Sequence, residues 1–299
     1  MRFGSAPPWS LGVEEELMLV DAETLLPASD GWSRVFGEAT DRIKPEIFES
    51  LVEIATPVFE TAEEVEAELR ALRHEVAERA AAHGFAVLAV GSHPTATEAP
   101  RFVPSDRVTV LKKRLGEGLR RQTVCGLHVH VSVPDADTCL RAFEGVVPHL
   151  PSLLAQSANS PYRAGVPTGW RSSRSQVLLE LPTGGPPPVL RSWNDWHAAT
   201  QGDRTRRHWD AWPRPEYGTL EVRIMDQPTS VRLTAELAAE VQRLVREAAQ
   251  EAGQRGGEPF DREQYARERE RAAREGGGPE AERQLEIGPE LALVELVVR

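Results

Sequence analysis

Carboxylates recur along this chain at a spacing that brings them together only if the backbone is extended. Glu14 and Glu16 flank Glu15 in the run GVEEE. In a strand alternate side chains share a face, so Glu14 and Glu16 project together about 7 Å apart. Like charges that close repel unless a cation lies between them. The same arrangement returns with Glu49 and Glu53 in ESLVEIA, with His128 and His130 in LHVHVSV, and with Glu221 and Arg223 in TLEVRIM. Taken singly these are weak signals. A solvated edge strand accounts for Glu14 and Glu16, and alternating histidines are more often structural than metal-bound. Gathered on one sheet face, Glu14, Glu16, Glu49, Glu53, Glu221 and His128 demand cations, because each unpaired buried charge costs several kcal/mol. Carboxylate oxygens suit Mg²⁺ or Mn²⁺ better than nitrogen-preferring metals. Such ions neutralise charge on a transferred phosphoryl group. The chain has no GxxxxGK[ST] and no GxGxxG, so a nucleotide would be held by these metals and by arginines.

The elements that must position these groups follow from periodicity. Val13, Leu17 and Leu19 oppose Glu14 and Glu16; Val52 and Ile54 oppose Glu49 and Glu53; Leu220, Val222 and Ile224 oppose Glu221 and Arg223. Four alternating segments, each with an apolar face for packing, predict one sheet with one chemical face. Thr61 with Glu64 forms a capping box, and Val65, Leu69, Leu72 and Val76 continue a helix of about 22 residues to Gly84. Residues 85–90 read as a central strand and 106–121 as a basic amphipathic helix. A helix over 137–158 is interrupted by Pro148 and Pro151. Residues 159–215, dense in Gly, Pro, Ser, Trp and Arg, predict ordered loops carrying candidate anion-binding arginines, Arg163, Arg171 and Arg174. Leu233, Leu237, Val241 and Leu244 mark a further helix ending near Gly253. A charged, glycine-broken segment follows, then a short apolar stretch, 291–298, that should dock on the body.

Composition narrows the class. A chain of 299 residues with 40% hydrophobic content can bury a substantial core. Its net charge of -11 argues against a general nucleic-acid or anionic-membrane surface. Two cysteines, Cys125 and Cys139, make no disulfide framework. The N-terminus lacks a signal-peptide core and no apolar run reaches the ~18 residues of a membrane span. A cytoplasmic protein is the expectation.

Five stretches in order carry a resemblance: Gly12-Val13-Glu14-Glu15-Glu16, the segment 49–57, Cys125-Gly126-Leu127-His128-Val129-His130-Val131, Ser157-Ala158-Asn159-Ser160-Pro161, and Gly218-Thr219-Leu220-Glu221-Val222-Arg223. Together they resemble the successive motifs of the carboxylate-amine ligase family, the type 2 glutamate-cysteine ligase group, from about residue 10 to 250. The resemblance implies an α+β fold: a curved, mostly antiparallel sheet of about six strands with the active site on its concave face and helices on the other. It implies a catalytic domain over 1–253 with a shortened, charged extension over 254–299 packing on it. It also implies amide formation through an acyl phosphate, with ATP as substrate and Mg²⁺ (or Mn²⁺) as cofactor.

Carried over by position, Glu14, Glu16, Glu53, His128 and Glu221 would hold the ions, with Glu46 and Glu49 as neighbouring acids and Glu49 counted in the metal set. Arg223 and Glu53 would be catalytic. Arg223, Arg174 and Arg171 would bind the nucleotide or a substrate carboxylate, Arg174 and Arg171 lying in a loop similar to TGxxSxRS. The partners implied are a small-molecule acid and an amine, with no nucleic acid and no membrane; paired subunits are common among similar chains, which leaves a homodimer open. The chain departs from the family where Arg-Pro-His-Pro becomes Trp212-Pro213-Arg214-Pro215 and where GRDTG becomes Gly165-Val166-Pro167-Thr168-Gly169. It is also shorter over 188–208 and after 253, where Arg269, Ala272, Arg274 and Gly276 retain part of an NRxxAxRxG pattern. These changes touch the substrate pocket more than the metal shell. Two other readings stay open: a catalytically silent homologue that binds a nucleotide or small acid, and a metal-dependent hydrolase.

Overall fold

The four alternating segments lie in one sheet. In a computed structural model, which describes residues 1–182, 184–201, 208–251 and 260–298, its strands are β1 (Leu11–Asp21), β2 (Ile43–Pro45), β3 (Leu51–Ala55), β4 (Phe85–Leu88), β5 (Gly126–Ser132), β6 (Ala211–Arg214) and β7 (Thr219–Asp226). The order is β6-β7-β5-β1-β3-β2, with β4 paired to β1, and every pairing is antiparallel. The sheet is open and has seven strands where about six were expected. β1 is long enough to serve three neighbours. Its residues Leu11–Glu15 pair with β5, Glu14–Met18 with β3 and Met18–Asp21 with β4.

Alternation explains which face is covered. From Leu11 to Leu17 every second side chain of β1 is buried, and the glutamates between them, Glu14 and Glu16, are only half-buried. The apolar face packs on the helix Ala62–Ala81, which carries the expected capping box between Thr61 and Glu64, and on the long helix Val231–Glu251. Beyond Leu17 both faces of β1 are buried. There Met18, Val20, Leu51 and Leu88 form a second apolar cluster with Val108, Leu111 and Leu119 from residues 106–121 and with Ala292, Leu293 and Leu296. The chemical face is thus open at one end of the strands and roofed at the other.

The remaining elements follow their local signals. The proline-interrupted segment breaks into the helix Ala136–Val146, a tight turn Val147–His149 and the helix Leu150–Ser157. Gly145 allows the first of these to approach the Val231–Glu251 helix closely; a Cβ there would lie 2.6 Å from the Ala248 methyl. The stretch 159–215 contains two short ribbons, Tyr162–Arg163 with Val166–Pro167 and Gly184–Gly185 with His208–Trp209, and the helices Arg174–Leu178 and Trp193–Thr200. The helices Arg262–Glu275, Pro279–Ile287 and Pro289–Glu295 follow. Tyr265 and Arg269 of the first both reach the buried Asp210 carboxylate, at 2.8 and 2.7 Å, and Val297 bridges to Leu88 at the end of β4. The expected helix stop at Gly253 and the boundary between 253 and 254 fall outside the described residues. Among the described residues no helix is long and apolar enough to cross a membrane.

Candidate active site

The open half of the chemical face is the floor of a cleft of about 690 Å³. Register places its groups. Glu14 lies opposite His128, Glu16 opposite Glu53 and Lys44 opposite Glu53 on the far side; Glu221 lies opposite His130 and Trp212. Glu14, Glu16, Glu53, His128, Glu221, Arg223 and Arg174, all singled out from sequence, line the cleft together with Glu46. Sequence reading passed over Lys44, Arg107, Glu216, Tyr217 and His208, which also line it.

Two members of the expected set do not join. Glu49 precedes β3, which begins at Leu51, so the alternation does not extend back to it. Its buried carboxylate instead accepts hydrogen bonds from the Ser33 amide at 2.9 Å and the Ser33 hydroxyl at 2.7 Å, securing the short helix Gly31–Val35. Arg171 pairs with Glu282 at 2.5 Å and packs under Gly276, away from the cleft lining. Arg174 does reach the cleft floor, but as a buried strut. It donates to the carbonyls of Ile224 and Arg223 at 3.2 and 3.3 Å and lies so close to Gly126 that a Cβ there would sit 2.0 Å from its guanidinium. Of the two loop departures, Arg214 lines the cleft, whereas Val166 is exposed on its ribbon and does not.

The carboxylates of the cleft are unequally compensated. Glu16 accepts the Gly126 amide at 2.6 Å. Burial raises the Glu14 carboxyl, but His130 and His128, at 3.7 and 3.5 Å, outweigh it and hold Glu14 well below the usual range. Burial, with Glu14, Glu46 and Glu16 nearby, pushes Glu53 up to about 8 against the weak pull of Lys44 at 3.7 Å. Burial also raises Glu46, although Arg107 stands 3.4 Å away. Glu221 is the opposite case: burial disfavours its charge, yet Arg214 and Arg223 bring it down to about 2. His128 Nε2 is buried without a hydrogen-bond partner. Carboxylates crowded in this way repel one another, and carboxylate oxygens are the donor type that hard divalent cations take. Among the described residues no group of three or more His, Cys, Asp or Glu side chains is arranged so that it could hold a metal ion as it stands.

The middle glutamate of the GVEEE run has a structural role. Glu15 points into the apolar side, where Arg73 grips it at 2.7 and 2.6 Å and Gln227 and Thr234 complete its bonding. A signal for Arg73 was present: it falls four residues after Leu69 and three before Val76, on the buried stripe of its helix.

Comparison with known proteins gives a consistent placement. The family model described as glutamate-cysteine ligase family 2 matches residues 10–297. A Bdellovibrio bacteriovorus protein provisionally named glutamate–cysteine ligase 2 is 37% identical over 248 residues, covering 79% of this chain and 66% of its own length. A similarly named Rubrobacter xylanophilus protein is 35% identical over 246 residues, 78% of this chain and 65% of its own. The chain therefore spans about two thirds of the length of these curated relatives. In fold it is similar to the bifunctional glutathione synthetase of Pasteurella multocida (TM-score 0.63, 19% identity, 96% of this chain and 44% of that one). It is likewise similar to the glutamate–cysteine ligase of Francisella tularensis in complex with AMP (TM-score 0.60, 14% identity, 88% and 70%).

Proposed function

The chain belongs to glutamate-cysteine ligase family 2, and from that premise we propose that it is an ATP-dependent carbon–nitrogen ligase joining a small acid to an amine. The observation that carries this reading is the crowding of Glu14, Glu16, Glu46 and Glu53 in one cleft, with Glu53 pushed up to about 8 and Glu46 raised. A protein retains such mutual repulsion where a cation or a cationic substrate relieves it.

Glu14, Glu16, Glu53 and His128, with Glu46 close by, would hold Mg²⁺ or Mn²⁺. When bound, such ions supply charge neutralisation for a phosphoryl group in transfer. Arg223 faces the same cleft, where its guanidinium can bind phosphate oxygens and stabilise the charge that develops on them. A substrate carboxylate oxygen takes the γ-phosphoryl group of ATP, leaving ADP. The amine nitrogen then adds to the acyl carbon, phosphate departs and the amine loses its proton. The excess of acids draws the amine in as its ammonium form, which gives one proton to a carboxylate of this group before its nitrogen adds. Val110, Leu111, Leu115, Leu178 and Leu181 give part of the cleft an apolar lining.

The test is incubation with ATP, Mg²⁺ and pooled amino acids and amines, following ADP and analysing products by mass spectrometry. ADP together with a new amide mass establishes the ligase and identifies both substrates. Binding of Mg-ATP with neither product would overturn the assignment in favour of a silent nucleotide-binding homologue.

A further inference from the structure

The two ends of the cleft treat their carboxylates differently. On the β1, β2 and β3 side, Glu14, Glu16, Glu46 and Glu53 face Lys44 and Arg107, and the glutamates remain in excess even with Arg174 counted beneath Gly126. On the β6 and β7 side, Glu216 and Glu221 face Arg214 and Arg223, and the charges balance. Each oxygen of Glu221 already has a guanidinium: Arg214 Nη1 contacts Oε2 and Arg223 Nη1 lies 3.2 Å from Oε1. The Glu221 side chain, at the cleft wall, is 1% exposed while each arginine is 18% exposed, so both of its oxygens are taken up by guanidinium groups. Arg214 is itself fixed, by Glu216 at 3.0 Å from its Nε and by the Tyr217 ring 4.8 Å from its Cζ. A divalent ion reaching Glu221 would have to displace a half-buried, multiply held guanidinium and leave it beside a second positive charge.

We propose that Arg214 is a built-in cation that occupies the place of a divalent ion at Glu221, so that metal binds only on the Glu14, Glu16, Glu46 and Glu53 side of the cleft. Glu221 then anchors Arg214 and Arg223 and is not a metal ligand in this chain. The inference rests on the ligase reading and refines how many ions that site takes.

The test is Mn²⁺ titration of the full chain, counting bound ions from the loss of the free-Mn²⁺ electron paramagnetic resonance signal, with circular dichroism to verify folding. Wild type and Glu221→Gln bind the same number of ions. Arg214→Gln binds one more, and the Arg214→Gln/Glu221→Gln double variant loses that extra ion. Arg214→Lys, which keeps the charge, retains the wild-type count and stands in should Arg214→Gln fail to fold, the double variant then being dropped. Loss of an ion in Glu221→Gln, no gain in a folded Arg214→Gln, or a gain in Arg214→Lys overturns the inference and leaves the ligase reading intact. Absence of any Mn²⁺ binding to wild type, with no ADP formed from Mg-ATP, overturns the ligase reading and this inference with it.

Discussion

The two faces of β1 show the same residue type put to opposite uses. On the apolar face Glu15 is fully enclosed, with both carboxylate oxygens partnered by Arg73, Gln227 and Thr234. On the other face, one residue to either side, Glu14 and Glu16 join Glu46 and Glu53 in a cleft where the acids repel. A satisfied charge in the interior ties elements together and answers to nothing outside. An unsatisfied group of charges costs stability and responds to whatever cation arrives. Burial alone therefore does not distinguish a functional carboxylate; completeness of its partnership does.

The largest effect should come from breaking the satisfied side. Arg73→Met strands Glu15 without its cation, and a destabilisation of about 3–5 kcal/mol is expected, measured as a lowered urea midpoint. An unchanged midpoint would show that Glu15 is neutral and its pairing idle. On the other face the effect should fall on activity. Glu53→Gln relieves the crowding of acids whatever the protonation of Glu53, so the fold persists and amide formation drops on the order of a hundredfold or more. Full activity in that variant would remove Glu53 from the site.

A smaller, graded effect is expected with pH. The folded value of Glu53, about 8, exceeds its usual 4.5, so without metal the folded chain binds more protons than the unfolded one between those pH values. Stability therefore falls as pH rises through that window. The opposite contributions of Glu14 and Glu221, whose values are lowered, are lost only on acidification below it. In chelator, Tm should decline by several degrees from pH 5 to 8, at about 2–4 °C per kcal/mol, and the slope should flatten in Glu53→Gln. A flat wild-type profile would contradict the crowding argument. The smallest effect belongs to Arg171→Ala. Its pair with Glu282 is partly exposed, so stability should change by less than about 1 kcal/mol and nucleotide binding not at all. A large rise in the Kd for ATP would return Arg171 to the site.

Period-two alternation specified much of this. It assigned Glu14, Glu16, Glu53, His128 and Glu221 to one sheet face, because strand geometry ties side-chain direction to residue parity. The Thr61 capping box and the prolines at 148 and 151 likewise marked a helix start and a break that stand where expected, since caps and ring sterics act within a few residues. Alternation failed at Glu49, where the strand had not yet begun. It also carried no information about partners brought from far along the chain. That Arg73 would meet Glu15, and that Arg171 would turn to Glu282 while Arg174 lay under Gly126, depends on how helices and loops fold over the sheet. Residue order thus decided which face each acid takes. Which of those acids finds a cation among the chain's own side chains was settled only by the folded arrangement, because Coulomb energy depends on distance through space and burial, and neither is set by spacing along the chain.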